Sequence, residues 1–170
     1  MRKQVWAGLC VLAIFALAQT CQAGDAFVKG GLILRPSEDI DISDRYLISF
    51  GSDYPIAEYT ALGFEIATAY YHFDFAEDDI HQVPLNGWVN VKGMMPLEGL
   101  RPFAKAGMGV LALLLFGELE DQTTDLGIHF TGGIEFGSMD GTAFVAELQW
   151  QKAFDDDRPY TVILLGGIKF

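Results

Sequence analysis

Positive charge and cysteine are both scarce in this sequence. The 170-residue chain has 11 Lys and Arg against 23 Asp and Glu, which gives a net charge of −12. Because binding to nucleic acid depends largely on basic side chains that neutralise phosphates, this balance argues against a nucleic-acid partner. The two cysteines, Cys10 and Cys21, lie near the N-terminus. The rest of the chain therefore supplies no disulfide, zinc-thiolate site or cysteine nucleophile.

A long hydrophobic run is also missing. The apolar stretch at residues 5–18 follows Arg2 and Lys3 and precedes small residues at Cys21 and Ala23. It is shorter than the roughly 20 residues of a membrane helix, and the arrangement is typical of a secretory signal peptide. We therefore expect residues 1–23 to be a cleaved signal peptide and residues 24–170 to be the mature domain. An uncleaved anchor and lipidation at Cys21 are the alternatives.

Past Gly24 the hydropathy alternates with a period of two, and Pro, Gly, Asp and Asn interrupt it at intervals. This pattern is typical of strands and turns. The predicted strands are 26–35, 45–52, 57–73, 83–95, 100–116, 126–138, 142–152 and 160–170. They predict an all-β protein, an eight-stranded antiparallel up-and-down transmembrane β-barrel, with no linker dividing it.

The predicted connections alternate in character. Those after strands two, four and six are short, at 53–56, 96–99 and 139–141, whereas those after strands one, three, five and seven contain 15 of the 23 acidic residues. Odd-numbered connections of such a barrel share one end. Short turns at one end and longer loops at the other are typical of outer-membrane barrels, whose longer loops face outward.

The two faces of the predicted strands differ in polarity. One face carries apolar rows suited to lipid, and the other carries polar groups that hydrocarbon would not tolerate. An eight-stranded barrel is wide enough only for its own side chains. We therefore expect a polar network that plugs the lumen, with a proton or ion path as the alternative. Its predicted members are Lys29, Glu65, Lys92, Lys105, Glu135, Glu147 and Lys169, and Asn90, His129 and Gln149 share their face.

The half of the lumen nearer the long loops is predicted to be apolar. Its inward positions suggest a cup that admits a small hydrophobic molecule or an acyl chain. Simple packing, or a bulge near 110–116, is the other interpretation. The residues of this predicted cup are Tyr71, Trp88, Leu111, Leu113, Leu115, Ile163 and Leu165.

Several segments resemble a known family. They are LRPFAKAGMGV from Leu100, VPLNGWVNVKG from Val83, FTGGIEF from Phe130, AFVAELQWQKAF from Ala143 and the terminal LLGGIKF. Together they are similar to the small outer-membrane β-barrel domain of Gram-negative bacteria, the opacity-protein and OmpA/OmpX-like group. The resemblance implies an outer-membrane location among lipids and lipopolysaccharide. It also implies that Ile168 and Phe170 form the signal read by the barrel-assembly machinery.

The expected role is structural or a surface interaction, with hydrophobic-ligand binding as the alternative. We expect no enzyme activity, cofactor or metal. The acidic loops match no calcium-loop spacing, and they are either simply solvated or, as the alternative, a place where calcium or magnesium collects. A third and less favoured interpretation is a lipid A-modifying hydrolase, because His129, Thr131 and Glu135 partly match the His, Ser and Glu of small barrel deacylases. Thr131 stands in place of the serine, and all three are predicted to face inward, away from a lipid substrate.

Overall fold

The computed structural model of the protein describes residues 24–35, 46–75, 78–95, 97–116, 122–137, 141–155 and 160–170. At positions 35, 70–75, 78–82, 113–116, 122 and 123 it describes the backbone alone. The predicted signal peptide lies outside the described residues. The strands are β1 (Asp25–Arg35), β2 (Tyr46–Ala57), β3 (Thr60–Phe75), β4 (Asp78–Met94), β5 (Leu100–Phe116), β6 (Gln122–Gly137), β7 (Ala143–Ala153) and β8 (Thr161–Lys169).

The eight strands form a closed barrel in which every strand pairs with its neighbours in sequence and β8 pairs with β1. All pairings are antiparallel. The predicted fold class and strand number are therefore confirmed. We call the end with the β2–β3, β4–β5 and β6–β7 connections the turn end, and the opposite end the loop end.

The β2–β3 turn was predicted wrongly. It was expected at residues 53–56, but β2 continues to Ala57 and the turn is at Glu58 and Tyr59. Pro55 suggested a turn because proline cannot donate a backbone hydrogen bond. In the barrel, β1 pairs with β2 only as far as Asp25 opposite Asp53. Pro55 lies beyond that point, where β2 pairs only with β3 and the partner of Pro55 is Ala61.

At the loop end, β3, β4 and β6 extend further than predicted, whereas β5 has its predicted bounds. The strands β3 to β6 have 16 or 17 residues, compared with 9 to 12 in the other four. Asp74 and Asp79 were expected in a loop but pair with each other across β3 and β4, and Asp78 pairs with Phe75. Asp125, also expected in a loop, lies within β6. Strand pairing thus continues beyond the apolar segments at the loop end. In that region charged side chains no longer contact hydrocarbon.

The outer wall is apolar along its described strands. Val28, Ile48, Val91, Leu148 and Leu164 all point outward and are between 39% and 52% exposed. Tyr46 is exposed at the loop end and Tyr59, Phe144 and Phe170 at the turn end, and Phe50 and Phe130 are exposed between them. An apolar band between aromatic rows suits a bilayer. No helix in the described ranges is long and apolar enough to cross a membrane.

Glycines on the inner face make room for large side chains. A Cβ added to Gly51 would lie 2.5 Å from the Phe27 ring, and one added to Gly133 would lie 2.4 Å from the Phe103 ring. Because interiors are close-packed, neither position has space for a methyl group beside the ring. The inward glycines therefore allow two phenylalanines to lie inside a narrow barrel.

Candidate functional site in the barrel lumen

A chain of buried ion pairs occupies the lumen toward the turn end. Lys29 Nζ lies 2.8 Å from a carboxylate oxygen of Glu65 and 2.8 Å from one of Glu147. The other Glu147 oxygen lies 3.0 Å from Lys105 Nζ. All four side chains are at most 3% exposed. Glu147 therefore joins two lysines that water does not reach.

A second chain centres on Glu135, which contacts Lys92, Lys169 and Arg101. The distance from Glu135 to Lys169 Nζ is 3.1 Å, and the distance to Arg101 Nε is 3.4 Å. Lys92 also lies 2.7 Å from Asp53, and Lys169 lies 2.8 Å from Asp25. The two chains together, called here the ion-pair network, contain Asp25, Lys29, Asp53, Glu65, Lys92, Arg101, Lys105, Glu135, Glu147 and Lys169.

Phe27 and Phe103 lie between the two chains. Lys29 Nζ is 4.4 Å from the centre of the Phe27 ring, and Lys92 Nζ is 4.5 Å from that of Phe103. Lys105 contacts both rings, at 4.9 and 5.2 Å. A lysine over an aromatic face is attracted by the ring quadrupole, and more strongly when it is desolvated. The rings thus stabilise the buried lysines and fill the space around them.

All seven residues of the predicted lumen network lie in the ion-pair network. The sequence reasoning missed Asp25, Asp53 and Arg101, as well as the two phenylalanines. A signal for Asp53 was present, because it shares the alternation phase of Ser49 and Gly51, both of which are buried. Its assignment to a turn concealed that phase.

The apolar part of the lumen differs from the predicted cup. Buried side chains of β1, β2, β3 and β8 form an apolar cluster, whose members are Ile33, Leu47, Ala67, Ala69, Ile163 and Leu165. Ile163 and Leu165 are only 1% and 2% exposed, so they are covered by their neighbours rather than lining an open mouth. Trp88 and Leu111 lie outside this cluster, on β4 and β5. The side chains of Tyr71, Leu113 and Leu115 lie outside the described part.

The three residues that suggested a hydrolase do not form a catalytic arrangement. His129 Nδ1 lies 3.3 Å from Thr131 Oγ1, but both side chains are buried inside the barrel. Glu135 contacts Lys92 and Lys169 and is fully buried in the ion-pair network. A carboxylate held by two lysines is poorly suited to orient a histidine. A lipid substrate outside the wall would not reach these groups.

The last strand closes the barrel. Ala26 N–H donates to the Phe170 carbonyl at 3.0 Å, and Phe170 N–H donates to the Ala26 carbonyl at 2.9 Å. The Ile168 and Phe170 side chains point outward and are exposed. Recognition by the assembly machinery remains a prediction, but both side chains are accessible on the folded wall.

This closed wall, with an apolar exterior and charges inside, defines a small transmembrane-type β-barrel. Solved outer-membrane barrels have the same fold. Neisserial surface protein A (NspA) matches with a TM-score of 0.60 at 12% identity, over 85% of this chain and 93% of that one. Ail, the attachment invasion locus protein of Yersinia pestis, matches at 0.52 and 12%, over 86% and 97%. The outer membrane enzyme PagL matches at 0.51 and 11%, over 85% and 97%.

The resemblance to small outer-membrane barrels is therefore confirmed at the level of the fold. No protein-family model matches the chain, and no curated protein matches it. Because one similar barrel is named an enzyme and others are named surface or attachment proteins, the fold alone assigns no activity.

Proposed function

We propose that this protein is an exported outer-membrane barrel with a structural or surface-interaction role, closed by its ion-pair network. The observation that carries the proposal is the pairing inside the wall. Each lysine of the network has a carboxylate within 3.1 Å, and their carbon chains and the phenylalanine rings fill the lumen around them. Such a lumen supports the wall but offers little room for transport. The long acidic connections then become the surface available to partners.

Cell fractionation tests the location. In a Gram-negative host, the untagged chain is expected in the outer-membrane fraction, and mass spectrometry is expected to find its N-terminus at Gly24. We also expect little conductance across a planar bilayer, because the network blocks the lumen. Recovery as a soluble periplasmic protein, or a large and steady conductance, would contradict the proposal.

The surface role is tested on the β7–β8 connection. Changing Asp155, Asp156 and Asp157 to Asn removes three negative charges from the loop end. We expect altered adhesion of intact cells or an altered response to added calcium, with unchanged folding. Glu98→Gln, at the exposed β4–β5 turn, is the matched control and should have no effect. Equal behaviour of both variants and the parent would count against a role for this loop.

Binding of hydrophobic molecules is the alternative, and the covered apolar cluster argues against it. A dansyl-labelled fatty acid is a suitable probe. If the loop end binds apolar molecules, the parent should bind the probe saturably, Leu113→Asp should abolish binding, and the three-residue loop variant should retain it. We expect no saturable binding, because the described members of the cluster are already covered by one another.

A further inference from the structure

Two histidines and two aspartates meet in the β3–β4 ladder at the loop end. His72 of β3 is opposite His81 of β4, and two residues nearer the connection Asp74 is opposite Asp79. Alternate residues of a strand share a face, and so do residues directly opposite each other in a ladder. The four residues, called here the histidine–aspartate group, therefore occupy neighbouring positions on one face.

This face is a continuation of the outer wall. Ile66 of β3 and Val89 of β4 point outward and are 41% and 45% exposed. The register that pairs Thr68 with Leu85 is kept as far as the histidine–aspartate group, so alternation places the group on the same outward face. Because the group lies beyond the apolar segments, an ion would reach it from water rather than through hydrocarbon.

The ladder at this group has little support from other strands. Among the described residues, β2 pairs with β3 only as far as Tyr46 opposite Tyr70, and β5 pairs with β4 only as far as Phe116 opposite His81. Beyond those pairs β3 and β4 form a two-stranded hairpin, which is marginally stable at best in water. The group therefore lies where a further bond between the two strands would matter most.

The charges of the group favour a cation. Asp74 and Asp79 are like charges directly opposite each other, which destabilises a strand pair. Residues 46–91 contain no Lys or Arg, so these two strands supply no compensating charge at this end. A divalent cation would neutralise both carboxylates, and the imidazoles of His72 and His81 would complete a set of two nitrogen and two oxygen donors. Zn²⁺ typically takes four such ligands, whereas Ca²⁺ and Mg²⁺ prefer oxygen alone.

We propose that the histidine–aspartate group binds a divalent transition-metal ion such as Zn²⁺, and that this ion joins β3 to β4 at the loop end. Spacing along the chain did not suggest a metal, because the β3–β4 connection separates the two halves of the group. The register of the ladder brings the halves together. The inference does not depend on the surface role proposed above.

Isothermal titration calorimetry with zinc chloride tests the site on the untagged barrel in detergent micelles. We expect one saturable site. His72→Gln or His81→Gln should weaken it by more than about tenfold, since even the hydrogen-bond partners of metal ligands are typically worth about 10- to 100-fold in affinity. The control is the variant with Asp155, Asp156 and Asp157 changed to Asn, which removes three charges from another connection and should retain the site. No saturable zinc binding, or binding that both histidine substitutions leave unchanged, would overturn the proposal.

The third histidine of the chain provides an internal control. His129 lies inside the lumen and is 1% exposed. Added Zn²⁺ should therefore shift the magnetic resonance signals of the His72 and His81 rings and leave that of His129 in place. It should also slow hydrogen exchange at the amides of Phe73 and Ile80, which are opposite each other between the two pairs, and a chelator should reverse this effect. A shift confined to His129, or exchange that does not respond to zinc, would contradict the proposed site.

Discussion

Replacing Glu147 with Gln should destabilise the barrel more than any comparable change at Glu65. Glu147 is the carboxylate that contacts Lys105 among the described residues, and it also contacts Lys29. The substitution leaves Lys105, which is buried between two phenylalanine rings, with no carboxylate in salt-bridge contact among the described residues. Removing one partner of a buried ion pair typically costs about 3 to 5 kcal/mol, because the remaining charge is uncompensated. We expect a loss in that range.

Glu65→Gln provides the contrast. Its partner Lys29 keeps Glu147 at 2.8 Å, so no lysine loses its last carboxylate. The expected loss is that of one hydrogen bond to a charged group, about 1.5 to 3 kcal/mol. The two substitutions make the same chemical change at equally buried glutamates. The difference between their losses in free energy of unfolding therefore measures the effect of removing the Glu147 ion pair from Lys105.

The assay is equilibrium unfolding by guanidinium chloride in phospholipid vesicles, followed by tryptophan fluorescence. Glu98→Gln, in an exposed turn, should change the free energy of unfolding by less than about 0.5 kcal/mol. Adding Lys105→Met to Glu147→Gln should recover part of the loss, because a flexible apolar chain suits the space between the rings. Equal losses for Glu147→Gln and Glu65→Gln, or no recovery in the double variant, would refute the reasoning.

Two further predictions concern the wall. Gly133→Ala should lower the free energy of unfolding by about 1 to 3 kcal/mol through overpacking, because the new Cβ would lie 2.4 Å from the Phe103 ring. Gly132→Ala faces open space and should be nearly neutral, so equal effects of the two variants in the same unfolding assay would contradict this packing. Deletion of Phe170 should reduce the amount of folded barrel in the outer membrane, measured by heat-modifiable migration on gels, while Phe170→Trp should retain it. Normal assembly of the deletion variant would show that Phe170 is not part of the recognition signal.

The alternation of the sequence predicted the fold and the inward face, because a strand in a barrel wall must separate lipid from lumen at every residue. It did not predict where each side chain lies along the barrel axis, because that position depends on the register between strands. Lys92 and Asp53 are adjacent because Asp53 lies within β2, in register with β3 and β4, rather than in a turn. The apolar cluster was missed in the same way, since Ile33 and Leu47 come from strands whose relative position no single segment reveals.

Aromatic residues inside the lumen were harder to anticipate. Phe27 and Phe103 share the inward phase of their lysine neighbours, but a phenylalanine beside a charged row is usually assigned to the lipid side. Only the pairing of Phe103 with Gly133 in the β5–β6 ladder shows that the ring has space inside. Cross-strand glycine and aromatic pairs are therefore the signal to seek in related patterns.

The composition of the ion-pair network has an electrical consequence. Five cationic and five carboxylate side chains sum to zero formal charge. A transmembrane voltage does work of about 2.3 kcal/mol per elementary charge per 100 mV, so it exerts no net force on a neutral unit. The network carries no gating charge as a whole, and the net charge of −12 arises from residues outside it. Displacement of the network as a unit should therefore not be driven by applied voltage of either polarity.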